Sequence, residues 1–310
     1  MAPPDAASPP TEPAAALRRQ LIAAGAKAGL TEETLAFSLS VPARRLALGH
    51  NVARPFYPCS VVKIFWLVAC LAQIEEGALT PHVELDRALH DMIAWSSNTA
   101  TNYVIDLISG TTGDTLLEAE DFAAWSQRRH WANRYFRALG WPEMAAVNVC
   151  QKAMDDDRYG RERQFLGPDR GNHNRLTTAS VARLLVEIFA GETLPAALRR
   201  RAAGLLARPH DPGWAEAHPQ GQVRGYFGAG LPADVLLFSK AGWTSWTGDA
   251  AASYRRHDAA WIEAPGIPGF ALVVFTEGRA ISEDLSFLPA AAVAALALVR
   301  ESCSADFQTR

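Results

Sequence analysis

Near the start of the chain, apolar and polar residues alternate in two short runs, LAFSLSV and LALGHN, on either side of Pro42-Ala43-Arg44. Period-two alternation around a turn predicts an antiparallel hairpin. Before it, residues 14–28 read as an amphipathic helix. After it, Pro58 and Cys59 lead into SVVKIFWLVACLAQIEEGAL, about five helical turns that are apolar on nearly every side through the first half. A helix of that kind belongs in the middle of a protein. From about Asp86 to Leu206 the pattern is helical, with one irregular stretch near DDDRYGRERQFLGPDRGNHN. Strand character then returns in DVLLFSKAGWT, AAWIEA and GFALVVFTEG, and a last helix follows in FLPAAAVAALALVRESC. Strands at both ends with helices between predict an α/β (α+β) fold whose antiparallel sheet closes from the two termini around an inserted helical lobe. The expected organisation is a disordered leader over 1–13, one domain over 14–300 and a flexible tail over 301–310. The domain divides into an α/β lobe (14–65 and 207–300) and a helical lobe (66–206).

Composition narrows the function. The 310 residues carry 30 Lys+Arg against 33 Asp+Glu, a formal charge of -3, which argues against a nucleic-acid partner or a polybasic membrane contact. With 49% hydrophobic residues and a mean hydropathy of -0.04, the chain has the material for a large core. No run of eighteen apolar residues appears, so no membrane span is expected. Cys59, Cys70, Cys150 and Cys303 are widely spaced and form no C-x-x-C pair, which suggests neither a zinc site nor a disulfide framework. The leader MAPPDAASPPTEP does not look like a secretory signal. Arg18-Arg19 before LIAAGA is a weak echo of a twin-arginine signal, but the apolar run is short and broken by Lys27. A cytoplasmic monomer acting on a small molecule is the expectation.

Three short segments could carry chemistry. Ser60 and Lys63 stand three apart at the start of the buried helix, so their side chains share a face. Serine is a poor nucleophile until a base takes its proton, and lysine serves as that base only when burial or neighbouring positive charge lowers its pKa. The helix N-terminus also presents free N–H groups where an acyl oxyanion would develop. The second segment is Trp95-Ser96-Ser97-Asn98 before TATNYVIDLISG. An N-cap explains one of these polar residues and not both Ser96 and Asn98. The third is Lys240-Ala241-Gly242-Trp243-Thr244 at the end of a strand, in a chain with only four lysines, and Gly242 would let a substrate backbone approach closely.

Taken together, S-x-x-K, S-x-N and K-x-G in this order resemble the penicillin-recognising serine hydrolases, most closely the class A β-lactamases. FYPCSVVK looks like the nucleophile segment of that family. SSNTATNYVIDLISG resembles the helix after its second motif, RLTTASVARLL the helix after its loop, and ALVVFTEG its last core strand. The resemblance covers roughly residues 15–300. It implies that Ser60 is acylated, that Lys63 accepts its proton and that Ser96 relays a proton to the leaving nitrogen. It further implies that Asn98 contacts the substrate amide, that Lys240 sets the potential for an anionic substrate group and that Thr244 binds that group. The N–H groups of Ser60 and Trp243, the latter just after Gly242, would form the oxyanion hole. No cofactor and no metal are implied. The expected activity is hydrolysis of a β-lactam-type amide through an acyl-Ser60 intermediate. The alternatives are a peptidase, amidase or esterase on the same scaffold, or a penicillin-binding sensor without turnover.

Two departures stand out. Ala241 replaces the Ser or Thr of the third motif. The loop NVCQKAMDDDRYGRERQFLG lacks the E-x-x-x-N that activates the deacylating water in the family, and leaves Asp155 and Glu162 as candidates. The segment with Trp125, Trp131, Tyr135, Phe136 and Trp141 reads as helix core or as a lid over the cleft. No G-x-S-x-G elbow, nucleotide-binding glycine loop or H-E-x-x-H occurs. His90 beside Asp91 reads as a polar helix residue.

Overall fold

The computed structural model describes residues 11–153 and 158–305. In chain order it runs α1 (Glu12–Gly25), β1 (Leu35–Val41), β2 (Leu46–His50), α2 (Lys63–Glu75), α3 (Val83–Ala94), α4 (Asn98–Ser109), α5 (Ala119–Arg129) and α6 (Trp131–Ala138). It continues with α7 (Gly160–Leu166), α8 (Thr178–Ala190), α9 (Ala196–Leu206), α10 (Pro212–Ala217), β3 (Leu236–Thr244), β4 (Arg255–Glu263), β5 (Phe270–Glu277), α11 (Arg279–Glu283) and α12 (Phe287–Ala305). The five strands form one antiparallel sheet in the order β2-β1-β5-β4-β3. The N-terminal hairpin pairs with the last strand, so the sheet is closed from both termini and helices α2–α10 lie between its halves in sequence.

Alternation along the strands sorts side chains onto two cores. Phe37, Leu39, Leu272, Val274, Ala260 and Ile262 face one core, which α1 and α12 complete. Ala36, Ala271, Val273, Phe275, Ala259 and Trp261 face the other, which belongs to α2, α8 and the helical lobe. The last helix is long and apolar enough, by length and composition, to cross a membrane. Here its Leu288, Ala292, Leu296, Val299 and Cys303 follow helical spacing and are buried in the first core. Helix α2 lies at the centre of the second core, with every residue from Lys63 to Gln73 buried.

Several sequence expectations shift. Glu12 and Pro13, expected in the leader, form the start of α1, where Pro13 fits the first turn; residues 1–10 lie outside the described part. Residues 301–305, expected in the tail, belong to α12, which continues through Ala305; residues 306–310 lie outside the described part. The helix expected from Ser60 divides into a 3-10 turn, Cys59–Val62, followed by α2. Strand β4 begins at Arg255, ahead of the apolar AAWIEA. Its polar start is buried because each side chain has a partner: Arg256 donates to Ser282 O, His257 lies against Tyr57 O, and Asp258 accepts from Phe227 N–H. The aromatic segment is core and not a lid. Phe136 and Trp141 are buried in the helical lobe, and Trp131 and Tyr135, stacked on each other at 5.4 Å between ring centroids, pack half-buried against it. Trp125 packs edge-on to Phe165.

Candidate active site

Ser60 lies in the Cys59–Val62 turn, which closes through the Lys63 N–H onto Ser60 O. Residues three apart eclipse in a 3-10 turn, so Ser60 and Lys63 share a face as the spacing predicts. Cys59 adopts a φ of 49°, in the left-handed region, at the sharp entry to this turn. Burial pushes the Cys59 thiol up to about 12, so the neighbour of Ser60 stays protonated and is no rival nucleophile.

The second segment ends at the C-terminus of α3 and the N-terminus of α4. Ser97 is the N-cap, its hydroxyl accepting from Ala100 N–H. That leaves Ser96 and Asn98 for other work. Ser96 has a φ of 58°, which turns both its carbonyl and its hydroxyl onto Lys63. Lys63 Nζ donates to Ser96 O (2.5 Å), Ser96 Oγ (3.1 Å) and Asn98 Oδ1 (2.8 Å). A lysine from the helix core thereby joins Ser60's turn to the Ser96–Asn98 loop.

The third segment is the edge strand β3. Lys240 is fully buried, and its Nζ donates to Ser96 Oγ at 3.0 Å, to Ala241 O at 2.8 Å and to Gln222 Oε1. Ser96 Oγ therefore sits between two amines. Burial, then the positive charges of Lys63 and Arg208, hold Lys240 well below the usual lysine range. Gly242 presses on the nucleophile turn, where a Cβ would come within 2.8 Å of Ser60 N, 2.8 Å of Cys59 Cβ and 2.9 Å of Pro58 O. Only glycine allows this approach. Trp243 follows on the opposite face of the strand. Its indole donates to Ser282 O at 2.8 Å.

Three groups that the sequence did not point to, the buried Arg208 and His257 and the half-buried Gln222, hold these parts in register. Arg208 donates to Ile93 O and Ala94 O at the end of α3, to Gly221 O and to Ser239 O, tying the Ser96 loop to β3. Burial lowers its pKa to about 10. Gln222 accepts from Lys240 and donates to Ala241 O at 3.2 Å. His257 lies beside Gly242 in the β3–β4 register and contacts Tyr57 O at 3.0 Å. Arg208, Gln222 and His257 sit in no local motif, and their partners are distant in sequence.

Two expected site residues are engaged elsewhere. The Thr244 hydroxyl donates its proton to Ala252 O at 2.8 Å and lies 3.7 Å from Cys59 Sγ, so it has no proton to offer an anionic substrate group. Glu162 is buried in α7 and forms a bidentate pair with Arg129 at 2.6 and 2.9 Å, while Arg129 also bonds to Thr111 and Cys150 O. Both oxygens of that carboxylate are thus engaged by Arg129 as its counter-ion. Asp155 lies outside the described residues. Among the described residues, no group of three His, Cys, Asp or Glu side chains could hold a metal ion.

The fold has parallels in known proteins. No curated protein matches the sequence. Among solved structures, a β-lactamase from Sphaerobacter thermophilus aligns with a TM-score of 0.63 at 18% identity, covering 94% of this chain and 97% of that one. A β-lactamase from Xanthomonas campestris gives 0.63 at 20% identity, covering 93% and 98%. The class A β-lactamase of the last common ancestor of Gram-negative bacteria gives 0.60 at 20% identity, covering 91% and 99%. These likenesses establish the fold. A family model described as the beta-lactamase enzyme family matches residues 80–298, which include the Ser96 loop and Lys240–Gly242. By that match, which spans most of the sequence, the chain belongs to the beta-lactamase enzyme family, serine hydrolases that open amide bonds through an acyl-enzyme.

Proposed function

We propose that Ser60 is the acylated nucleophile and that a β-lactam is the substrate class to which this cleft is fitted. The carrying observation is the placement of Ser96 Oγ, 3.1 Å from Lys63 Nζ and 3.0 Å from Lys240 Nζ, beside the turn that holds Ser60. In this reading Lys63, once it has lost a proton to solvent, accepts the Ser60 proton while Ser60 Oγ forms a bond to the lactam carbonyl carbon. The resulting oxyanion is assigned to the N–H groups of Ser60 and Trp243, an assignment supported by the close approach of Gly242, the residue before Trp243, to Ser60 N. When the carbonyl–nitrogen bond breaks, Ser96 gives its proton to the departing nitrogen and recovers one from Lys63. Water then cleaves the acyl-Ser60 ester and the enzyme is restored. Asn98, held by Lys63, lines the same side and is assigned to the substrate amide. Lys240 supplies positive potential, with Thr244 no longer part of the anion site.

The test is intact-mass analysis of the protein with a penicillin, a cephalosporin and simple amides and esters, beside Ser60→Ala. Adduct on Ser60 with lactam product is expected. A lactam product formed by Ser60→Ala at the wild-type rate would overturn the assignment.

A further inference from the structure

On the helical lobe, away from Ser60, α6 and the strand-like segments around Asn148 and Arg175 enclose a cleft of about 700 Å³. Three arginines line it, Arg134 and Arg137 one turn apart on α6 and Arg175 from the facing segment, together with His130. No lining residue is acidic. Elsewhere on the protein some guanidinium groups meet carboxylates, as Arg54 does at Glu277, Arg170 at Asp249 and Arg201 at Asp86, and the buried Arg208 and Arg256 spend their N–H groups on backbone carbonyls. The three cleft arginines have no such pairing with a described carboxylate. Arg134 donates to Gln127 O and Arg175 to Gly171 O, so each keeps further N–H groups for another acceptor. Three unneutralised cations in one concavity go against the chain's net charge of -3.

The wall behind them is fixed. Buried Asn133 donates to Asn148 Oδ1 at 2.7 Å and to His130 Nδ1 at 3.0 Å, while its own oxygen accepts from Val149 N–H at 2.6 Å. His130 Nδ1 is thus an acceptor and the neutral ring carries its proton on Nε2. Asn148 and Arg175 are joined through both backbone bonds, at 2.9 and 2.8 Å. The cleft therefore offers guanidinium groups on a rigid frame, the arrangement that binds oxyanions bidentately.

We propose that this cleft is a binding site for a small polyvalent oxyanion, a ligand carrying two or more phosphate or carboxylate groups, distinct from the Ser60 site. The ligand's charged groups bridge α6 to the Arg175 segment, and its binding raises the thermal stability of the protein. Calorimetric titration of the full chain with inorganic pyrophosphate, and in a parallel arm with citrate, tests this at low salt. One site per chain is expected, with a rise in Tm. Affinity should fall about tenfold or more in Arg134→Gln/Arg137→Gln and in Arg175→Gln. A preference for pyrophosphate identifies a phosphoryl ligand and a preference for citrate a carboxylate one. Arg170→Gln, whose arginine is already paired, should bind as wild type. Absence of binding by both probes, or equal affinity in wild type and in folded arginine variants, overturns the proposal.

Discussion

His257 Nε2 lies 3.0 Å from the carbonyl oxygen of Tyr57, so a side chain of β4 holds the backbone that delivers Ser60. On the other edge of the ring, Nδ1 accepts from Thr276 N–H at 3.1 Å. An imidazole that accepts at Nδ1 and donates at Nε2 is neutral, and burial accordingly holds its pKa down to about 3. The unfolded chain takes up a proton near the ordinary value of 6.5 and the folded one does not. Stability from this group is therefore full above pH 6.5 and declines as pH falls toward about 3. Asp258, raised to about 6 by burial, acts in the opposite sense between its ordinary 3.8 and 6. The difference between wild type and His257→Gln isolates the histidine. We expect His257→Gln to lose about 1–3 kcal/mol at neutral pH and to show a shallower fall of Tm with acid. Parallel Tm profiles in the two proteins would argue against a neutral His257.

Lys63 and Ser96 move protons in the proposed reaction, so removing either should lower kcat/KM for a penicillin by about 10²–10⁴-fold. Lys63→Met should slow formation of the acyl-enzyme itself. In Ser96→Ala the leaving nitrogen has no proton donor, and the acylation rate should fall while Ser60 remains intact. Stopped-flow acylation traces separate the two, and a wild-type rate in either variant would remove that residue from the proton path.

The depressed pKa of Lys240 has a kinetic consequence with a definite sign. Lysine loses its charge as pH rises, and burial beside Lys63 and Arg208 brings that loss to lower pH than for a free lysine. For an anionic substrate, KM should rise with pH through this titration while kcat changes less. Gln222→Glu places a carboxylate where the amide oxygen now accepts from Lys240. It should keep Lys240 charged to higher pH and move the rise in KM upward. Superimposable KM profiles for the two proteins would contradict the role given to Lys240.

Glu162 and Arg129 are both buried and share two hydrogen bonds. Glu162→Gln leaves the guanidinium without its counter-ion and should cost about 3–5 kcal/mol in urea unfolding. With both Glu162 oxygens engaged by Arg129, the decay of the lactam adduct per folded molecule should stay within a factor of about 2 of wild type, whereas loss of a water-activating base would cost at least about 10²-fold. Accumulation of acyl-enzyme in the folded variant would restore Glu162 to that role.

What the sequence displays is local periodicity, and that sufficed for most of the architecture. The hairpin around Pro42, the central helix and the three late strands each follow from spacing that any single element carries. The same holds for Ser60 and Lys63, which are eclipsed by one turn of backbone, and for the surplus of Ser96 and Asn98 over a single N-cap. The unread part consists of long-range hydrogen bonds. Arg208, Gln222 and His257 act on carbonyls or side chains from other parts of the chain, and nothing beside them in sequence marks them. Thr244 and Glu162 have partners that are hidden from the sequence for the same reason. Their residue types suit anion binding and base catalysis, but Ala252 O and Arg129 claim them first. The aromatic run at 125–141 has helical spacing, which gives a buried face without telling a core from a cover.

The pairing of β1 with β5 sets an order of events for the nascent chain. Leu35 meets Thr276, so the first strand emerges from the ribosome long before its partner exists. Until residues near 277 are released, the hairpin has a bare edge, Lys63 has no Lys240 facing it across Ser96, and Gly242 cannot close on Ser60. Contacts this distant in sequence form slowly, and partly made chains expose sheet edges that associate with one another. Premature termination anywhere before the fifth strand should yield an inactive, aggregation-prone product and not a partial enzyme, however complete its helical lobe.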